Sequence, residues 1–157
     1  MAGTSNQRLD RSACDTFLRS TPIGRIAVRH GRDLVVAPVN LGFLDDDVIF
    51  LAPPGPLLDA AVMGARVTLE VDGTDRDGTA WSVVATGFAE EITDRREHER
   101  AAALDLEAWS GEPCDHVVRV RCERVTGERG ANAVIDLSDA ERSASNEATP
   151  SKRDRTN

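Results

Sequence analysis

The residues that could hold a metal ion fall in two places in this chain. One is the acidic run Asp45-Asp46-Asp47, and the other combines Cys114, His116 and Cys122. Three adjacent carboxylates on a turn cannot converge on one ion, and Asp favours turns on its own account. The cysteines and the histidine lack a nearby fourth ligand, and their spacing matches no common zinc framework. We therefore predict no metal site at either place.

Nucleophilic and acid–base chemistry also finds little support. Ser82, Asp115 and His116 are the residue types of a hydrolase triad, but no G-x-S-x-G motif surrounds Ser82. Adjacent side chains on a strand also point to opposite faces, which separates Asp115 from His116. The single lysine, Lys152, lies in a polar C-terminal segment and the chain has no tyrosine, so Schiff-base and phenol chemistry are excluded from the domain. The sequence thus assigns no catalytic residue.

Length and composition indicate one domain. The 157 residues are 40% apolar and carry a net charge of −8, which disfavours a nucleic-acid or anionic-membrane partner. No apolar run has the length of a signal peptide or a membrane span, and the cysteines form no C-x-x-C pair, so we predict a cytoplasmic protein with free thiols. Residues 138–157 hold no large apolar side chain. We predict a flexible N-terminus over 1–8, a domain over 9–129 and a disordered polar tail over 130–157.

The elements that would position any site are mainly strands. A leading helix is predicted from Asp10 to Arg19, with Asp10 or Ser12 as its N-cap, and further short helices follow Pro56 and Asp94. The stretch from Ala80 to Ala89 reads as a long, bent, buried strand. A small antiparallel barrel follows from six predicted strands: Ile23 to Arg29, Leu34 to Leu41, Val48 to Ala52, Arg66 to Val71, Thr79 to Ile92, and a last strand from Val118 whose wet face carries Arg119 and Arg121.

Short motifs in a fixed order carry a family resemblance over Leu9 to Arg129. They are Gly24-Arg25-Ile26-Ala27, Pro38-Val39-Asn40, Val48-Ile49-Phe50, Glu70-Val71-Asp72, Trp81-Ser82-Val83 with Gly87-Phe88-Ala89, and Trp109-Ser110-Gly111. Together they resemble the pyridoxamine 5′-phosphate oxidase-like split barrels. The resemblance implies a mainly β, six-stranded antiparallel split barrel, and a homodimer that binds FMN between its subunits as a flavin-dependent oxidoreductase. It implies these cofactor-binding residues: Pro38, Val39, Asn40, Phe50, Gly55, Trp81 and Ser82.

The phosphate-binding part of the family pattern is altered. The family places Arg, Thr and Lys where this chain has Leu51, Ala52 and Leu57, and residues 33–65 contain no Lys, Arg or His. Losing two charge-assisted hydrogen bonds costs on the order of 3–6 kcal/mol, so FMN binding is expected to be weak or absent. The helix end near Gly55 still favours phosphate. Substitute anchors could come from Arg25, Arg29, Arg32 or Arg66.

Three functions stay open on this pattern. The chain is a flavin-binding oxidoreductase of unknown substrate, a degenerate, non-catalytic binding or regulatory module that has lost FMN, or a binder of another ligand such as a deazaflavin or haem. The Pro38 to Asn40 and Trp81-Ser82 strands favour a retained groove for a small flavin-type molecule.

Overall fold

A computed structural model describes residues 6–130 of the protein. Residues 1–5 of the predicted flexible N-terminus and residues 131–157 of the predicted tail lie outside the described residues. The helices are α1 (Arg11–Ser20), α2 (Pro56–Val62) and α3 (Arg95–Ala102). The strands are β1 (Gln7–Arg8), β2 (Ile23–His30), β3 (Asp33–Asn40), β4 (Gly42–Leu44), β5 (Asp47–Leu51), β6 (Arg66–Thr74), β7 (Ala80–Glu91) and β8 (Val117–Gly130).

The strands form one antiparallel sheet in the order β3-β2-β6-β7-β8-β5-β4, with β1 paired to β8. The sheet curls into a half-barrel, which confirms the mainly β split-barrel prediction. Eight strands are present among the described residues instead of the predicted six. The first addition is Gln7–Arg8, placed by the sequence in a flexible N-terminus, which pairs with β8 because that strand continues as far as Gly130.

The second additional strand, Gly42–Leu44, arises where the sequence predicts only a chain reversal. The reversal is shorter than expected, because β4 and β5 are joined by a tight turn at Asp45 and Asp46. Asp45 has a φ of 55°, a left-handed conformation that Asp tolerates better than most residues. The tight turn leaves Gly42–Leu44 free to pair with β5.

Strand β7 is the predicted long strand, and its bend is a β-bulge. The pairing of β7 with β8 shifts register between Thr86 and Gly87. A Cβ atom at Gly87 would overlap the carbonyl oxygen of Arg121, so only glycine allows the two backbones to approach this closely. The bulge lets one strand of 12 residues follow the curved sheet from end to end.

The helices begin where the sequence predicts. Asp10 caps α1 by accepting a hydrogen bond from the backbone N of Ala13 at 2.8 Å, and Asp94 caps α3 by accepting one from the backbone N of Glu97 at 3.1 Å. Pro56 occupies the first turn of α2. Within the described part of the chain, no helix is long and apolar enough to cross a bilayer.

Candidate functional site

A groove of about 240 Å³ lies between β3, at one end of the curled sheet, and the segment that leads from β5, near the other end, into α2. β3 is the edge strand of the sheet, and an edge strand has a row of backbone groups that no neighbouring strand pairs; three of its residues, Ala37, Pro38 and Val39, line the groove. Pro38 has no N–H to donate, which suits it to an edge strand. The groove is lined by Ala37, Pro38, Val39, Leu51, Ala52, Pro53, Pro54, Gly55, Pro56, Leu57, Trp109 and Ser110.

None of these lining residues is charged, and none of the arginines predicted as substitute anchors is among them. Arg25 comes nearest in the sheet, as the direct partner of Pro38 on β2, but it is engaged in ion pairs. The guanidinium of Arg25 is 3.0 Å from a carboxylate oxygen of Glu70 and 3.5 Å from one of Asp72, and that of Arg66 is 3.4 Å from Glu123. Arg29 pairs with Leu34, about 13 Å along β3 from Pro38 at ~3.3 Å per residue. Arg32 lies beyond it in the β2–β3 turn. The groove therefore offers no cation to a phosphate from its own lining.

The N-terminal end of α2 gives an anion little help. The helix has only seven residues, its first residue is a proline without an N–H, and the backbone N–H of Asp59 already donates to the Gly55 carbonyl at 2.9 Å. Asp59 adds a negative charge in the first turn, and it lies 3.3 Å from His30. The phosphate-favouring role expected of this helix end is thus weakened by its length and its acidic residue.

Three of the predicted binding residues, Pro38, Val39 and Gly55, lie together in the groove. Asn40 lies beside it, and its side-chain Nδ2 donates to the Glu107 carbonyl at 3.0 Å. Phe50 is 1% exposed and packs in the core.

The other two predicted binding residues lie near the start of β7, which does not line the groove. The ring of Trp81 stacks on Phe17, with centroids 4.4 Å apart. The Ser82 hydroxyl donates to Glu70 Oε1 at 3.5 Å. The groove of a single chain therefore does not include Trp81 and Ser82.

Nine lining residues were not among the predicted binding residues: Ala37, Leu51, Ala52, Pro53, Pro54, Pro56, Leu57, Trp109 and Ser110. For Trp109 and Ser110 a signal was present, because Trp109-Ser110-Gly111 is one of the motifs of the family resemblance. The sequence does not show that the segment after α3 folds back onto the end of β3.

Other chemically reactive groups are held in structural contacts. Burial raises the pKa of Cys14 and raises that of Cys122 to about 11, so neither thiol is a ready nucleophile. Asp45, Asp46 and Asp47 diverge, each toward a different arginine: Arg100, Arg19 and Arg119, respectively. Across residues 6–130, no three His, Cys, Asp or Glu side chains are placed to hold a metal ion.

Comparison with known proteins identifies the family. A sequence model of the pyridoxamine 5′-phosphate oxidase family matches residues 10–129. The uncharacterized protein Rv0080 of Mycobacterium tuberculosis is 34% identical over 127 residues, which cover 77% of this chain and 83% of that protein.

Two solved structures have a similar fold. The FAD-binding protein of Mycobacterium smegmatis is 25% identical, with a TM-score of 0.60 over 80% of this chain and 98% of its own. The FAD-binding protein mll6688 of Mesorhizobium loti, at 23% identity and a TM-score of 0.70 over 83% of this chain and 100% of its own, shows the shared fold. The chain therefore belongs to the pyridoxamine 5′-phosphate oxidase family.

Proposed function

We propose that the protein binds a flavin in the groove between β3 and the 51–57 segment and acts as a flavin-dependent oxidoreductase. The observation that carries the proposal is an apolar groove bordered on one side by the edge of a strand. Apolar walls with a few backbone hydrogen-bonding groups suit a planar heteroaromatic ring with polar edges. The 25% identical FAD-binding protein of M. smegmatis supports a flavin as the ligand class.

The flavin is held through its ring system rather than through a phosphate. Because no lining side chain is charged, the terminal phosphate of FMN gains no charge-assisted hydrogen bond from the lining of this groove. FMN and riboflavin should then bind with similar affinity, and FMN should be substoichiometric in the purified protein. The same absence of anchors favours the second candidate, a non-catalytic module that has lost the cofactor.

A substitution that fills the groove tests the site. Ala37 lines the groove from β3, so Ala37→Phe should weaken both FMN and riboflavin at least tenfold in a titration followed by flavin fluorescence. Val62→Phe adds a ring at a position on α2 that is 65% exposed and outside the groove, and it should leave both affinities unchanged. Melting curves of both variants report whether the fold is kept. A native protein that binds neither ligand would favour the non-catalytic module.

We also propose that two copies associate through the outward face of the sheet. Leu34 is 73% exposed, Val36 is 65% exposed and Phe88 is 41% exposed. The pairing registers place all three on the same side of the sheet as Arg25 and Glu70. Exposed apolar side chains that recur along neighbouring strands are typical of a face that another surface covers. The groove, below the ~300–1,000 Å³ of a pocket that encloses a drug-sized ligand, would be completed by the second copy.

A charge on this face should separate the two copies. The native protein should sediment at twice the chain mass of 17.0 kDa, and Val36→Glu at the mass of one chain, because a carboxylate would be desolvated in the interface. Val62→Glu is the matched control, since Val62 has the same 65% exposure but lies on α2. Sedimentation of native protein as a single chain at micromolar concentration would contradict the dimer.

A further inference from the structure

Trp109 lies on a hydrogen-bonded turn at the rim of the groove. Ala108 before it is 3% exposed, and the backbone N of Gly111 donates to the Ala108 carbonyl at 2.9 Å. Gly111 has a φ of 73°, which favours glycine, and the backbone N of Glu112 donates to the Ser110 hydroxyl at 3.3 Å. These contacts fix the backbone on both sides of the indole.

The segment that leads into this turn contacts β4 and the end of β3. Leu104 and Leu106 pack against Gly42, where an added Cβ would meet their methyl carbons at 3.0 and 2.7 Å. The amide of Asn40, at the end of β3, donates to the Glu107 carbonyl at 3.0 Å. Asn40 therefore links the strand that forms one wall of the groove to the turn that carries Trp109.

The two tryptophans of the chain differ in solvent exposure. Trp81 is 8% exposed and stacked on Phe17, whereas Trp109 lines the groove and remains 52% exposed. An indole has a large apolar surface and few rotatable bonds, so a planar ligand can cover it at a small cost in conformational entropy. A fixed, half-exposed indole beside an uncharged groove is suited to stacking on an aromatic ring.

We propose that Trp109 is the stacking residue for the ring of the ligand and that Asn40 is the residue that positions it. The inference rests on the proposed flavin function and adds the ligand class that the groove selects, which is a planar, uncharged heteroaromatic ring system. A phosphate attached to such a ring system is not required for binding. Stacking of a nucleobase on an aromatic side chain is worth roughly a tenfold gain in affinity or more. The effect on binding of the isoalloxazine ring should be similar.

The first experiment measures ring binding alone. Lumiflavin, which carries only the ring, is titrated into the native protein, Trp109→Phe, Trp109→Ala and Met63→Ala. Trp109→Phe should keep most of the affinity and Trp109→Ala should lose at least tenfold. Met63→Ala truncates another exposed apolar side chain, 82% exposed and outside the groove, and should bind as the native protein does. In a Trp81→Phe background Trp109 is the one remaining tryptophan, and lumiflavin should quench its fluorescence. If that background is unstable, the fluorescence of lumiflavin itself gives the same affinities.

The second experiment tests the positioning role with a double-mutant cycle. Asn40→Asp keeps the shape of the side chain but removes the donor to Glu107, and it should weaken lumiflavin several-fold. In the Trp109→Ala background the same change should cost nothing further, because Asn40 acts through Trp109. Equal, additive losses in both backgrounds would overturn the positioning role.

The outcomes separate this inference from the proposed function when acridone, a neutral tricyclic ring that is not a flavin, is titrated in parallel. If lumiflavin binds native protein and Trp109→Ala equally, the stacking role is overturned and the flavin function stands. If only acridone binds and quenches Trp109, the stacking role stands and the flavin function is overturned. If neither ring quenches Trp109, both are overturned.

Discussion

We expect the double variant Leu51→Arg, Leu57→Lys to bind FMN at least a hundredfold more tightly than the native protein. Both leucines line the groove and are only half-buried, so the longer, charged side chains can reach a ligand there without entering the core. Each new hydrogen bond to the phosphate is worth about 1.5–3 kcal/mol, and two correspond to a gain of roughly 10²–10⁴ in affinity. Ala52 is left unchanged because it is 2% exposed, and a larger residue would overpack the core.

Riboflavin distinguishes a restored phosphate site from a reshaped groove, because it has the ring and the ribityl chain but no phosphate. Its affinity should stay within about threefold of the native value in the double variant. Val62→Arg, Met63→Lys places the same two charges on the exposed end of α2, outside the groove, and should not tighten FMN binding. A gain of equal size for riboflavin and FMN would show that the phosphate was not the missing interaction.

Local features of the fold could be predicted from the sequence because they depend on neighbouring residues. Asp10 and Asp94 cap their helices through backbone groups three residues away, and Pro56 begins α2 because its fixed φ suits a first turn. The alternation of β7 predicts its buried face, and Gly87 marks its bend. The positions of the main strands followed from the same short-range patterns.

The groove could be predicted only in part, since it depends on contacts between distant segments. Pro38, Val39 and Gly55 lie in it, but Trp109 lies there too, on a segment whose Glu107 carbonyl accepts a hydrogen bond from Asn40, 67 residues away. The sequence also cannot show that Arg25 and Arg66 are paired with Glu70 and Glu123 across neighbouring strands. A count of arginines therefore overestimates the cations that are free to bind an anion.

The largest departure from the sequence pattern is Arg119. The alternation of apolar and charged residues in the last strand predicts that Arg119 faces solvent. This prediction is wrong, because Arg119 is 5% exposed. Its guanidinium lies 3.2 Å from Asp47 Oδ2, 3.2 Å from Glu90 Oε1 and 2.8 Å from Glu97 Oε1. One cation thus joins β8 to β5, β7 and α3, and α3 leads into the segment that carries Trp109.

We expect Arg119→Met to lower the free energy of unfolding by about 3 kcal/mol at pH 7. Methionine replaces the apolar stem, so the loss comes mainly from three carboxylates left without their common partner. Arg121 provides the matched control on the same strand: it is 60% exposed, and among residues 6–130 its one ion-pair partner is Glu90, at 2.9 Å. Arg121→Met should cost less than about 1 kcal/mol. Urea denaturation of the two variants and the native protein measures both values.

The difference between native protein and Arg119→Met should shrink as the pH falls from 7 toward 3. Burial alone would raise the pKa of Glu90, but the hydrogen bonds and charges of Arg121 and Arg119 lower it, so in the native protein Glu90 contributes stability that is lost only as the pH falls below the ordinary titration range of a glutamate. Burial raises the pKa of Asp47 even with Arg119 present. Without Arg119 the pKa values of Asp47 and Glu90 should rise, and protonation then relieves the repulsion between these carboxylates and stabilises the variant. A difference that is independent of pH would mean that Arg119 stabilises the fold by packing rather than by charge.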